Sequence, residues 1–405
     1  MRDTRIALLS EGVFTGLSDT LQPSVLIIEG DRIVGVENSV PPEVTSVVRL
    51  PGITLLPGLI DAHTHVSILP CRGNQIDQMR VPLAEQMSIA RSNVQADLLS
   101  GVTTMRVMGQ ELGVDFALKA EIAAGDTVGP DLICAGVQLA KLNGHGHALT
   151  AVSDANDIRR LVDENARHGA GLIKIFTTGG VSSVATSQAD CPFTPNEIRA
   201  AADAAHGHGL KLASHAHGGE GAKLAIENGV DTIEHGVLLD EHMIAEAARR
   251  GLAIVGTFSI QDHPAGILAG DARSPEIQRK LLEVRSRVGE TWRRILGSGV
   301  RIAVGTDSMH GCLAFDIGRL TAFGASPARA LRAATVDAAA VCDRSDRGAI
   351  APGLRADLVG VIGNPLADIR VMSRPVFVMK AGAIVHTLEP HQARASAMEV
   401  VRENA

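Results

Sequence analysis

The stretch Leu55-Leu56-Pro57-Gly58-Leu59-Ile60-Asp61-Ala62-His63-Thr64-His65-Val66 decides how the rest of the chain is read. An apolar run stops at Pro57-Gly58, resumes, and then delivers two histidines with one residue between them. If residues 59–65 form a strand, side chains alternate faces with a period of two. His63 and His65 then point the same way, about 6–7 Å apart along the chain. Two neutral imidazoles on one face of a buried strand can grip one metal ion with little entropy lost on binding. The plainer reading, a pair of solvated histidines in a loop, fits poorly with the apolar lead-in.

Outward from this strand, the sequence repeats a strand-then-helix alternation, the signature of a parallel sheet. Strands are expected over 59–63, 102–107, 131–135, 172–176, 210–215, 231–235, 252–257 and 301–306. One intervening helix carries clear start chemistry: Thr194-Pro195-Asn196-Glu197 is a capping box with proline at the first helical position. Eight βα units over about 290 residues predict a TIM barrel. A doubly wound open sheet would normally show a glycine-rich phosphate turn after its first strand, and none is present. At both ends the pattern changes to short antiparallel strands, over 24–34 and 45–50, then over 356–359, 376–379 and 383–385. The expected organisation is therefore a small β-sandwich built from residues 1–58 and 351–405, enclosing an α/β barrel over 59–350.

Composition narrows the function. A net charge of -7 with no Lys/Arg block argues against nucleic-acid binding, which needs a phosphate-neutralising stripe. Tyrosine is absent, so no phenol can serve as acid or donor. Met1-Arg2-Asp3-Thr4-Arg5 is not followed by a long apolar segment, and no stretch has the length of a membrane span, so the expectation is a cytoplasmic protein without a membrane partner. Cys71, Cys134, Cys191, Cys312 and Cys342 are odd in number, widely spaced and without a C-x-x-C, and read as reduced thiols.

In a TIM barrel the chemistry sits at the C-terminal ends of the strands. There the first strand offers His63 and His65, the fourth Lys174, the fifth His215, the sixth His235 and the eighth Asp307. Each has an ordinary explanation alone: Lys174 as half of a buried ion pair, His215 as a satisfied core histidine, Asp307 as a helix cap. Their convergence on one rim is harder to explain away, because strand positions and ligand types come from independent features.

Five segments resemble the metal-dependent amidohydrolase superfamily: 57–65, Lys174 followed by Thr177-Thr178-Gly179-Gly180-Val181, Ser214-His215-Ala216-His217, Glu234-His235-Gly236 and Gly305-Thr306-Asp307. Gly144-His145-Gly146 is similar to a loop of the branch holding Xaa-Pro dipeptidases, carboxypeptidase-like dipeptidases, ochratoxin-type amide hydrolases and imidazolonepropionase-like proteins. The resemblance implies two divalent metal ions, usually zinc: His63, His65 and Asp307 on the more buried one, His215 and His235 on the outer. Lys174, carboxylated by carbon dioxide, would bridge them, since an ammonium cannot ligate a cation whereas its carbamate can. It further implies a shared hydroxide as nucleophile, Asp307 as proton carrier and His145 as donor to the substrate carbonyl. The implied substrate is a small amide, a dipeptide or an N-acyl amino acid, and the implied assembly a homo-oligomer.

Some members of that branch use a tyrosine beside the reacting group. Here His145 acts without it, or another donor such as His217 replaces it. His147 competes with His145 for the same role. His206 and His208 fit the end of a helix, where a cation complements the dipole; His310 and Cys312 follow Asp307 in the last loop and could line a pocket. Arg72, Arg80 and Arg106 could each pair with a substrate carboxylate. Competing functions are single-metal deamination or ring opening, for which Glu220 is the nearest acid, hydrolysis of a urea, lactone or phosphotriester, and a non-catalytic binding barrel.

Overall fold

The computed structural model describes residues 5–271 and 274–388. The chain opens with β1 (Ile6–Val13), β2 (Gln22–Glu29), β3 (Arg32–Glu37) and β4 (Ser46–Pro57). The middle contributes β5 (Leu59–Thr64), β6 (Val102–Val107), β7 (Asp131–Cys134), β8 (Ile173–Phe176), β9 (Leu212–Gly218), β10 (Thr232–Leu238), β11 (Ala253–Gly256) and β12 (Arg301–Val304). The described chain closes with β13 (Leu358–Ile362), β14 (Pro375–Lys380) and β15 (Ala383–Thr387).

The terminal strands form one continuous sheet in the order β15-β14-β13-β4-β1-β2-β3. β4 joins its halves: it runs parallel to β1 on one edge and antiparallel to β13 on the other, with Pro57 opposite Leu358. Sequence reasoning stopped this strand at residue 50, because Pro51-Gly52 looks like a break; the strand continues and reaches the middle of the chain one residue before β5. Gly58 is the joint. A Cβ there would lie 2.3 Å from the Thr103 hydroxyl, so only glycine lets the two sheets approach.

The eight middle strands are all parallel and form two arcs, β5-β6-β7 and β12-β11-β10-β9-β8. They read as near-continuous buried runs, as strands covered on both faces must. The arcs meet at two seams. At one, Leu139 donates to the Lys174 carbonyl (2.7 Å) and accepts from the Phe176 amide (3.1 Å). At the other, the Asp307 amide donates to the His63 carbonyl (2.8 Å), and the Asp61 carboxylate accepts from the Thr306 amide (3.1 Å) and hydroxyl (2.6 Å). Ile60, Ile133, Ala213, Ala253 and Ala303, from five different strands, share one buried cluster with Leu172, the residue before β8.

Helices cover the outside. Helix Pro195–Gly207 begins with the expected reciprocal capping box between Thr194 and Glu197. The next strand starts at Leu212, two residues later than expected, because the Leu210 amide still closes the helix by donating to the Ala205 carbonyl. The long helix Pro275–Gly297 buries Trp292 edge-on against Phe258, with ring centroids 4.9 Å apart.

The second seam leaves no room: a Cβ on Gly305 would sit 2.3 Å from the His63 amide nitrogen. Gly305→Ala is expected to destabilise the protein by about 1–3 kcal/mol through overpacking. Gly318→Ala, where an added methyl meets nothing, is the control and leaves stability unchanged or slightly higher. Urea denaturation of both variants checks this.

Candidate metal centre and active site

β5 and the residue after it turn His63 and His65 into a cleft, and His145, His215, His217, His235 and Asp307 line the same cleft. His63, His65 and Asp307 approach closely enough for one ion, with a ligand atom from each within 4.8 Å of the others. The Nε2 atoms of His63 and His65 lie 3.5 and 3.7 Å from the same Asp307 oxygen. His215 Nδ1 and His235 Nε2 are 2.8 Å apart, and the His63 and His235 rings are 4.8 Å apart. Asp307 and His235 both hold left-handed backbone, with φ of 49° and 73°. Strained backbone of that kind in non-glycine residues is a mark of functional positions.

Three of the rings are oriented by a partner that can only accept a hydrogen bond. His63 Nδ1 donates to Glu234 Oε2 (2.7 Å), His65 Nδ1 to the Gly109 carbonyl (3.0 Å), and His215 Nε2 to the Gly179 carbonyl (3.3 Å). The opposite nitrogen of each is then unprotonated, the form a metal ligand needs, and that of His215 is engaged with His235 Nε2. Burial enforces neutrality: it pushes His65 and His217 down to about 4 and His145 to about 3, and holds His215 and His235 well below the ordinary histidine value. Burial alone would raise the Asp307 carboxyl, but the imidazoles gathered round it, His63 foremost, outweigh that and hold it well below the ordinary carboxylate value.

Lys174, in β8 opposite Ala213 of β9, is buried behind the cleft lining, close enough for its charge to act on His65, His215 and His235. Among the described residues its Nζ has no hydrogen-bond partner, and it lies 5.0 Å from the centroid of the Phe176 ring. Burial pulls the amine down to about 8 against the opposing charges of Glu234 and Asp307.

Glu234 organises this floor and was missed as a site residue, although its motif was quoted. It lies fully buried, accepts from Arg106 Nη2 through both oxygens (2.9 Å each), from Thr232 (2.5 Å) and from His63. Burial would raise its pKa, but the Arg106 charge and the His63 hydrogen bond bring it down to about 2. The sequence signal was available: Asp61, Arg106, Lys174 and Glu234 are four charges inside apolar strands, and their signs cancel.

Other expectations resolve individually. Arg106 is committed to Glu234 and to the Ala62 carbonyl (2.6 Å), so it is unavailable to a substrate carboxylate. Arg80 holds Asp77 and the carbonyls of His147 and Ala148, and Arg72 is exposed away from the cleft lining. His145 faces the cleft, whereas His147 faces a neighbouring depression and accepts from the Asn143 amide. His206 and His208 pair with Asp231 and Asp163 on the surface. His310 pairs with Asp97 at 2.7 Å, and neither it nor Cys312 lines the cleft. Glu220, the acid considered for deamination, is exposed beside Lys223.

A parallel α/β fold with histidines, a carboxylate and a lysine gathered at the ends of its strands is the architecture of a hydrolase. Residues 54–385 match the amidohydrolase family, to which this chain belongs. It is a hydrolytic enzyme acting on carbon–nitrogen bonds. It is 26% identical to the ochratoxinase of Aspergillus niger, over 92% of this chain and 84% of that protein. It is 26% identical to the imidazolonepropionase of Deinococcus deserti, over 89% of this chain and 95% of the relative. A crystal structure of a Xaa-Pro dipeptidase with methionine bound in its active site superposes with a TM-score of 0.87 at 29% identity, covering 94% of this chain and all of the other.

Glu234→Gln leaves the buried Arg106 without its anion and is expected to destabilise the protein by about 3–5 kcal/mol. It also lets the His63 ring turn, so metal content falls with stability; thermal denaturation and elemental analysis read the two effects. The neutral histidines give the metal-free protein a pH dependence. An unfolded chain protonates its histidines near 6.5 while the folded one refuses to until about 4. Protons thus favour unfolding, and the stability of chelator-treated protein should fall steadily from pH 6.5 to about 4. His65→Asn should flatten that decline.

Proposed function

We propose that this protein cleaves the amide bond of a dipeptide or N-acyl amino acid at a two-metal centre in a closed TIM barrel. The single observation that carries the reading is the orphaned amine of Lys174, buried beside the histidines and the aspartate that face one cleft. The interior cluster drawn from five strands and the residue before β8, and the hydrogen bonds at both seams, support closure of the barrel.

The donor set fits metal ions. His63, His65 and Asp307 would hold one and His215 and His235 the other, the second ion taking the place of the hydrogen bond between His215 Nδ1 and His235 Nε2. The Lys174 amine, lowered by burial, is a competent nucleophile for carbon dioxide. Its lone pair would form the N–C bond with loss of one proton, and the resulting carbamate would supply the anionic oxygens that an ammonium cannot. Divalent ions, zinc being the usual choice for such histidine-rich donors, supply Lewis acidity that acidifies water and polarises a carbonyl.

The chain's own groups do the rest. Asp307, anionic in the cleft, accepts the proton of the attacking water and returns it to the leaving nitrogen. His145 donates from Nε2 to the carbonyl oxygen as charge develops there. Ile68, Ile76, Met79, Phe176 and Ile267 form an apolar wall suited to a hydrophobic acyl or side chain. The named activities of the dipeptidase and ochratoxinase relatives favour an amide over an ester. A single-metal reading draws on the tighter grouping of His63, His65 and Asp307 alone.

Lys174→Ala should cut bound metal from two ions per chain to one or none, and lower hydrolysis of Met-Pro or N-acetyl-L-methionine by at least about 10³-fold. A carbamate carbon signal in ¹³CO₂-treated wild type should vanish in the variant. Unchanged metal and unchanged hydrolysis would overturn the bridging role, and one metal per chain in both proteins would favour the single-metal reading.

A further inference from the structure

The connection from β8 to helix Pro195–Gly207 spans residues 177–194 without a helix or strand of its own. Unstructured connections of that length in a compact domain are usually functional. Its ends are tied down: Gly179 donates to the Ser187 carbonyl (2.7 Å), and Gly221 donates to Ala189 (2.9 Å). Among the described residues, 182–186 make no backbone–backbone hydrogen bond. What holds them is Lys280, from the distant helix Pro275–Gly297. Its Nζ donates to the carbonyls of Ser183 (2.6 Å), Val184 (3.5 Å) and Thr186. An ammonium has three N–H donors, and here all three point into one loop. The side chain is buried, at 4% exposure, so the desolvation cost is real and the loop carbonyls are what offset it.

The segment so held presents Ser183, whose hydroxyl is 2.6 Å from His145 Nδ1. Backbone bonds anchor the His145 loop itself: Glu111 accepts from the Leu149 and Thr150 amides (3.0 Å each), and Gln138 donates to the Gly146 carbonyl (2.9 Å). The ring, in contrast, has Ser183 as its hydrogen-bond partner and is otherwise fixed by contact. It sits edge-on to Phe176 and over Gly180, where a Cβ would fall 2.2 Å from Nε2. Nitrogen Nε2 can donate to a substrate oxygen only if Nδ1 accepts, and a serine hydroxyl can supply that proton.

We propose that Lys280 and Ser183 are positioning residues for His145: Lys280 clamps the 182–186 segment so that the Ser183 hydroxyl donates to Nδ1 and keeps Nε2–H directed at the substrate carbonyl. The inference rests on the reading that His145 touches substrate.

The test is a double-mutant cycle on the metal-replete full chain with Met-Pro as substrate. Ser183→Ala and Lys280→Met should each lower kcat about 10–100-fold with KM within about 2-fold. Ser183→Thr and Lys280→Arg should recover most of the loss. In a His145→Ala background neither substitution should cost anything further, because both act through that ring. Two readouts need no turnover. Hydrogen exchange over 180–188 should rise in Lys280→Met while β8 and helix Pro275–Gly297 keep their protection. Histidine ¹⁵N spectra should show His145 as the Nε2–H tautomer in the wild type and as a mixture in Ser183→Ala. Losses that multiply on the His145→Ala background, or wild-type kcat in Ser183→Ala when His145→Ala is impaired, would overturn the proposal. So would unchanged exchange in Lys280→Met; should that variant not fold, Ser183→Ala and its ¹⁵N spectrum decide. A silent His145→Ala would instead remove the assigned role of His145, leaving the exchange and tautomer data to judge the clamp separately.

Discussion

A carboxylate that water does not reach lies beneath the cleft. Glu234 is fully buried, and an isolated anion there would be prohibitively costly, so its environment must supply compensation. Arg106 provides the charge and Thr232 and His63 the remaining hydrogen bonds. The bond to His63 sets that ring's tautomer and direction. The orientation of the first histidine thus depends on an ion pair reaching across the interior from β6 to β10, which the strand register makes possible.

The same logic extends through the site. Carbonyls of Gly109 and Gly179 orient His65 and His215, and Thr257 lies 2.7 Å from His235 Nδ1. Every one of these partners comes from a segment remote in sequence from the ring it orients, or from a loop leaving a neighbouring strand. Burial then strips the histidines of protons while leaving Asp307 ionised. The cleft becomes a concentration of lone pairs and negative charge, with a buried amine behind it that holds its proton less tightly than an ordinary lysine, an arrangement favourable toward bound cations.

The terminal sheet contributes by stiffening. β4 passes its direction to β5 through Gly58 with no slack, so the strand bearing His63 and His65 is aligned by residues from both ends of the chain. Its counterpart across the seam, β12, leads into Asp307 with Gly305 packed against the His63 backbone. Opposing ligands are held by the strands, and the two loops that carry His145 and Ser183 are held by side chains from elsewhere in the fold, Glu111 and Gln138 for one and Lys280 for the other.

Much of this was legible in order of residues alone. The alternation of His63 and His65, the parallel-strand rhythm and the residues at strand ends identified the cleft's inhabitants, since strand period and hydrophobic patterning are local properties. The strand boundaries near Pro51 and Leu210 escaped, because a ladder partner and a helix-closing hydrogen bond decided them. So did the commitments of Arg106, Glu234, Ser183 and Lys280. An arginine or lysine in a sequence carries the same charge whether it meets substrate or a neighbouring backbone, and only the folded chain, by choosing which groups lose water together, decides which it will be.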